Sequence, residues 1–205
     1  MKTGFRALTL LCFTLAASSL ARAQAIPAAS RPLTLSAFGG LTGTYTGLGS
    51  TGASIGGGKN LGITAGADLG WKPFHRYYPS VEVRGTYPVD KGKVDSQENL
   101  LFGLRVARFY GNFRPYGDFL YGRGKVTYAS PGYPNPSATL LYLDSVSNVF
   151  SFGGGLDYTL TDHFALKIDG QFQHYSVPVT TSGTIYSKPI TIGVVYRFGA
   201  QAFAH

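Results

Sequence analysis

The feature that most constrains this chain is a series of segments in which apolar and polar side chains alternate. The second segment, for example, places Leu61, Ile63 and Leu69 on one face. Side chains of a β-strand point alternately to opposite faces, so each segment is predicted to be a strand with two different faces. The eight segments span residues 32–46, 60–72, 77–88, 98–110, 113–127, 146–159, 163–176 and 187–199.

One face of these segments is apolar, and the opposite face carries charge. Arg108 shares an apolar face, but it lies at the rim, where its head can reach lipid phosphates. The nine charged residues of the opposite faces are Asp68, Glu82, Arg84, Arg105, Asp118, Asp157, Lys167, Asp169 and Arg197. A soluble barrel would show the reverse arrangement. Apolar residues outside and charged residues inside indicate that the surrounding solvent is lipid.

The connections between the segments alternate in length. Long, Gly- and Ser-rich stretches follow the first, third, fifth and seventh segments, whereas "KPFHR", "GN" and "LTDH" follow the second, fourth and sixth. This rhythm predicts an all-β, eight-stranded, antiparallel up-and-down transmembrane β-barrel, with turns in the periplasm and loops outside. Aromatic residues such as Trp71, Tyr77 and Phe113 gather at the turn end, as at a membrane boundary.

The first residues have the pattern of a secretory signal peptide. Lys2 and Arg6 precede a short apolar run, and Ala21 and Ala23 form an A-x-A site, so we expect cleavage after Ala23 or Ala25. The run is too short to span a bilayer as a helix. We therefore predict a signal peptide at 1–23, a periplasmic lead-in at 24–31, the barrel at 32–199 and a tail at 200–205, in the outer membrane.

Composition excludes several kinds of site. The single cysteine, Cys12, lies in the predicted signal peptide, so the exported chain would have neither a disulfide nor a cysteine metal site. No two histidines have a metal-ligand spacing, and we expect no metal and no cofactor. The 15 basic residues beyond the predicted signal peptide are scattered along an exported chain, so we expect no nucleic-acid partner.

The last segment carries a recognisable motif. The residues Thr191, Gly193, Tyr196 and Phe198 resemble the C-terminal signal that the barrel-assembly machinery reads in outer-membrane barrels, although seven residues follow Phe198 here. The alternative is a last strand with a lipid-facing side and no signal. With this motif, residues 32–199 resemble the small eight-stranded outer-membrane barrel family typified by OmpA and OmpX. The resemblance implies the architecture and leaves the activity open.

The interior of such a barrel is just wide enough for side chains to fill. We expect the inward charges to pair, for example Glu82 with Arg84, Arg105, Lys167 or Arg197, since unpaired buried ions are costly. Asp157 and Asp169 could instead form an acid–base couple, but salt bridges are favoured in a site without a cleft. A narrow water path along Gly62, Gly66, Gly70 and Gly103 is the alternative to a closed lumen.

One motif offers enzymatic chemistry. His174 and Ser176 share the outward face near the loop end, and a serine beside a histidine can begin an acyl-transfer site. The motif resembles the His-x-Ser of outer-membrane lipid A deacylases, which would make Ser176 the nucleophile and His174 its base. Val177 stands where that family has Asn, and no Asp or Glu follows Ser176 to orient the histidine.

We therefore expect a non-enzymatic outer-membrane barrel that serves envelope integrity, surface interaction or limited passage of small solutes. Among binding functions, the alternative is passage of an apolar ligand through a side opening in the wall. Among enzymes, the alternative is a lipid A deacylase. A soluble lipocalin-like barrel is disfavoured because of the inward charges. The expected partners are outer-membrane lipid or lipopolysaccharide and the barrel-assembly machinery.

Overall fold

The computed structural model describes residues 33–48, 58–89 and 95–198. These residues form ten β-strands, and among them no helix is long and apolar enough to cross a membrane. The strands are β1 (Thr34–Tyr45), β2 (Lys59–Gly70), β3 (Tyr77–Pro88), β4 (Ser96–Arg108), β5 (Phe113–Thr127), β6 (Tyr133–Pro134), β7 (Leu141–Tyr142), β8 (Asp144–Thr159), β9 (Phe164–Ser176) and β10 (Thr184–Phe198).

Eight of the strands close into an antiparallel barrel in the order β1-β10-β9-β8-β5-β4-β3-β2. The first and last strands pair from Leu35↔Phe198 to Tyr45↔Lys188, so the barrel has no open edge. Each of the other barrel strands pairs with its neighbours along the chain. The predicted fold class is confirmed.

The turn end and the loop end differ as predicted. At the turn end, residues 71–76, 109–112 and 160–163 link successive strands, and the first turn is closed by a bridge between Phe74 and Tyr77. His75 and Arg76 have positive φ angles of 48° and 72° in this turn. The small hairpin of β6 and β7 stands in the third long loop, and the sequence pattern did not predict it.

The predicted segments match the barrel strands to within a few residues. The largest differences are at β10, which begins three residues early at Thr184 because its pairing with β9 extends into the predicted loop, and at β4, which lies two residues earlier at both ends. The predicted signal peptide at 1–23, the lead-in at 24–31 and the tail at 200–205 lie outside the described residues.

The barrel has an apolar outer surface. Leu104, Ile168 and Ile192, on three different strands, are between 55% and 64% exposed. A ring of exposed aromatic residues encircles the turn end, including Trp71, Phe74, Tyr77, Phe113, Tyr158, Tyr196 and Phe198. An outer wall of this kind is stable only against lipid.

Candidate functional site

The charged side chains of the strands gather inside the barrel, toward the turn end. The structure places all nine sequence-predicted residues there, each 8% exposed or less: Asp68, Glu82, Arg84, Arg105, Asp118, Asp157, Lys167, Asp169 and Arg197. Arg114, which the sequence analysis missed, is also buried among them. Arg114 is four residues from Asp118 on the same strand, so alternation places both side chains on the inward face. This alternation could have identified Arg114 from the sequence. With Arg114, five acids face five bases, so this set of side chains has no net charge.

Arg84 is the centre of the acid-rich part of this network. Its guanidinium donates through Nη1 to Asp169 at 2.7 Å and through Nη2 to Asp118 at 3.3 Å, and it also contacts Glu82. The side-chain amide of Gln171 donates to Asp118 at 2.9 Å. One cation is therefore shared by three carboxylates that come from β3, β5 and β9.

Arg105 is the centre of the base-rich part, nearer the turn end. It donates through Nη1 to Asp68 at 2.7 Å and through Nη2 to Asp157 at 2.5 Å. Lys167 stands 3.9 Å from the second oxygen of Asp157. Arg105 is also 3.9 Å from Glu82, so this contact joins the two parts into one network.

Two aromatic rings fill the space between the charges. The ammonium of Lys167 lies 4.4 Å from the ring centre of Phe38 and 4.3 Å from that of Tyr116, and Arg105 stacks over Tyr116 at 3.6 Å. The Tyr116 hydroxyl donates to Asp169 at 2.7 Å. These rings stabilise both cations, which matters most for Lys167, whose contact with Asp157 is long. The inward position of Phe38 follows from its strand parity, but an apolar residue there was not anticipated.

The pairing differs from the sequence-based expectation at Arg197. Arg197 forms no ion pair with any described residue; it donates to the Thr159 hydroxyl at 3.1 Å. Asp157 and Asp169 form salt bridges, as the sequence analysis favoured, because each accepts a hydrogen bond from a different arginine. The identity of each partner depends on how far a long side chain reaches across the lumen, which alternation alone does not specify.

Neutral polar groups occupy the middle of the interior. Hydroxyls of Thr191, Thr42, Thr64 and Thr86 form a ladder across four adjacent strands, with oxygen–oxygen distances of 2.6 to 2.9 Å. On the opposite wall, Ser151 donates to Gln171 at 2.8 Å. This belt satisfies buried hydroxyls and separates the charged network from the region above it.

The loop end of the interior is mainly apolar, which the sequence analysis did not anticipate. Ten buried side chains form one cluster there: Leu48, Leu101, Leu120, Val126, Tyr128, Val149, Tyr175, Val177, Val179 and Ile185. Tyr133 and Tyr142 of the β6–β7 hairpin pack against this cluster. Burial raises the pKa of Tyr128, just beyond β5, to about 12. Beside the cluster, Asp95 accepts a hydrogen bond from the Ala129 amide at 2.9 Å.

The glycines proposed to line a water path do not face open space. A side chain at Gly66 would meet the Phe38 ring at 2.5 Å, and one at Gly70 would meet the Thr34 hydroxyl at the same distance. At Gly62 and Gly103 the backbone of the neighbouring strand approaches within 2.9 Å and 2.1 Å of the ideal Cβ position. These glycines therefore permit close packing between strands or against an inward ring.

The residues of the last-strand motif have structural roles of their own. Thr191 belongs to the hydroxyl ladder, and Gly193 lies so close to Gly40 of β1 that a Cβ would stand 2.8 Å from its Cα. Tyr196 and Phe198 lie on the outer surface, with ring centres 4.9 Å apart. Recognition by the barrel-assembly machinery stays a prediction.

The proposed catalytic pair lies on the outer face near the loop end, as predicted, but its members do not interact. His174 packs against Tyr186 with ring centres 5.4 Å apart, and Ser176 is exposed. Within the described residues, the two side chains form no hydrogen bond, and no carboxylate accepts from His174. Elsewhere in the described part of the chain, no group of three or more His, Cys, Asp or Glu side chains could hold a metal ion.

A model of the outer membrane protein beta-barrel domain matches residues 8–198. The chain belongs to this family. The architecture of membrane-spanning barrels accounts for the apolar wall described above. A search of curated proteins finds no match.

The search of solved structures finds similar chains at low sequence identity. The Neisserial surface protein A is 12% identical, with a TM-score of 0.50 over 82% of this chain and 98% of that one. Ail of Yersinia pestis, in complex with the heparin analogue sucrose octasulfate, is 12% identical, with a TM-score of 0.49 over 82% and 100%. The N-terminal barrel domain of Pseudomonas aeruginosa OprF is 15% identical, with a TM-score of 0.41 over 80% and 97%.

Proposed function

We propose that this family member is a closed, non-enzymatic barrel of the outer membrane that contributes to envelope integrity and presents its long loops at the cell surface. The observation that carries the proposal is the filling of the interior. Ten charged side chains without net charge, a hydroxyl belt and an apolar cluster follow one another from the turn end to the loop end. An eight-stranded barrel filled in this way has no continuous space for a solute.

The outer surface supports the proposed location. Family membership implies the outer membrane, and the exposed apolar wall with its aromatic ring at the turn end fits a bilayer. The turn end would then face the periplasm, and the β6–β7 hairpin would stand on the outside. We expect the barrel-assembly machinery to insert the chain and outer-leaflet lipopolysaccharide to surround it.

The closed lumen is tested by conductance. Purified protein in a planar bilayer should give no stepwise current in 1 M salt. The matched control is a variant that combines Phe38→Ala with Tyr116→Ala. It removes both inward rings, so it shows whether the assay can detect a narrow pathway through the barrel. Stepwise current through the unaltered protein would overturn the closed-lumen proposal, whatever the variant does.

Location and the lack of enzymatic activity are tested in cells. The unboiled protein from isolated outer membranes should migrate differently from the boiled protein, because a folded barrel resists detergent. The mass of lipid A should stay the same on overexpression. If lipid A lost an acyl chain on overexpression, and this loss did not occur with Ser176→Ala, the lipid A deacylase would replace the present proposal.

A further inference from the structure

Three outward side chains form a row across adjacent strands at the loop end. In the barrel register, Tyr45 of β1 lies opposite Lys188 of β10 on one side and opposite Lys59 of β2 on the other. All three are exposed on the outer wall. Since neighbouring strands are about 4.8 Å apart, the two lysine Cα atoms lie about 10 Å apart, and both ammonium groups can reach one small anion above the Tyr45 ring.

The positive charge of this row is not neutralised by the described residues around it. Neither lysine forms an ion pair with any described residue. The two loops that join these strands, residues 46–58 and 177–183, contain no Asp or Glu, so neither of them can supply an acid to the row. The outer wall on the other side of the barrel is different, because there Lys125 pairs with Asp144 at 2.7 Å.

An apolar notch lies directly below the row, toward the middle of the barrel. The next outward residue of β1 is Gly43, which stands between Ile190 and Leu61 in the register. A side chain at Gly43 would meet nothing within 4 Å, whereas Ile190 and Leu61 are 60% and 47% exposed. The floor of the notch is therefore backbone, and its two walls are aliphatic side chains.

We propose that this surface, formed by Lys59, Tyr45, Lys188 and the Gly43 notch, is a docking site for a phosphorylated glycolipid of the outer leaflet. The two lysines would bind a phosphate of the sugar headgroup, with the Tyr45 hydroxyl as a further donor, and one acyl chain would lie in the notch. Charge complementarity and the position of the apolar notch below the cations support this occupant. The inference rests on the proposed outer-membrane location, since it needs the loop end to lie at the outer leaflet.

The test counts bound lipid on the full-length protein. Folded protein is placed in phosphatidylcholine nanodiscs that contain lipid A, and bound lipid A is measured by native mass spectrometry. In Lys59→Gln/Lys188→Gln we expect about 10- to 30-fold weaker binding, the loss expected for two lysines at a charged surface. The matched control, Arg123→Gln/Lys125→Gln, removes two cations at the same end of the barrel and should change binding less than twofold.

Two lipid controls separate the possible occupants. Dephosphorylated lipid A should bind the original protein and the double lysine variant equally. Equal losses in both charge variants would overturn the assignment to this row, and so would competition by phosphatidylglycerol at equal concentration. The heat-dependent gel shift reports barrel insertion independently, so failure of the proposed location and failure of this site give different results.

Discussion

The two halves of the barrel interior are stabilised by different physical effects. Toward the turn end, five acids and five bases are buried around Phe38 and Tyr116. Toward the loop end, ten mainly apolar side chains form one packed cluster. Both halves fill the same cylinder, yet only the first depends on a matched number of opposite charges.

This difference predicts how each half responds to mutation. Burying an ion is costly unless a partner is present, so removing one member of the network leaves a penalty larger than the contact itself. Removing an apolar group costs its transfer free energy and the cavity that remains. The stability of the charged half should therefore depend on all of its ion-pair partners, and the stability of the apolar half on the volume of its side chains.

The largest effect is expected at Arg84. Replacing Arg84 with Met leaves Glu82, Asp118 and Asp169 without their shared cation. We expect a loss of about 3–5 kcal/mol in the free energy of unfolding, the usual cost of breaking a buried ion pair. Urea unfolding in lipid vesicles, followed by the gel shift, measures this loss.

A second substitution separates charge from packing at this position. Glu82→Gln in the Arg84→Met background removes one of the stranded acids and should recover part of the lost stability. If the double variant is no more stable than Arg84→Met alone, then lost packing around the arginine stem explains the effect, and the contrast between the two halves fails.

The next effect is expected in the apolar half. Leu120 is fully buried in the loop-end cluster, so Leu120→Ala should lower the free energy of unfolding by about 2–4 kcal/mol. Leu120→Met keeps the volume and should cost less than about 1.5 kcal/mol. The same urea titration measures both variants, and equal losses would show that volume is not the controlling quantity in this half.

Much of the architecture could be predicted from the sequence, because the alternation of apolar and polar side chains every two residues identifies both the strands and their two faces. The strand parity placed Arg84 and Asp169 inside. It could not pair them, since they are 85 residues apart in the chain and meet only through side-chain reach across the lumen. The apolar cluster was missed because Leu101 and Leu120 have inward parity, but their outward neighbours are equally apolar.

A smaller effect is expected for one tyrosine hydroxyl in each half. Tyr116 donates to the carboxylate of Asp169 at 2.7 Å, whereas the Tyr175 hydroxyl has only neutral partners: it accepts from the amide of Asn99 at 2.8 Å and donates to the amide oxygen of Gln173 at 3.2 Å. Hydrogen bonds to charged groups contribute about 1.5–3 kcal/mol and neutral ones about 0.5–1.5 kcal/mol. We therefore expect Tyr116→Phe to destabilise the barrel more than Tyr175→Phe in the same unfolding titration. The reverse order would contradict the assignment of the ionic network to the turn end.

The smallest effect is expected for an ion pair outside the barrel. Lys125 and Asp144 are 2.7 Å apart, with 32% and 47% of their side chains exposed. Water and salt screen such a pair, so Lys125→Met should change the free energy of unfolding by less than about 1 kcal/mol, and raising the salt concentration should reduce the difference. Arg84→Met should keep its large effect in the same salt series, because its partners are buried. If both variants lost their effects alike at high salt, the interior charges would be accessible to solvent, and the turn-end half would be a wet channel.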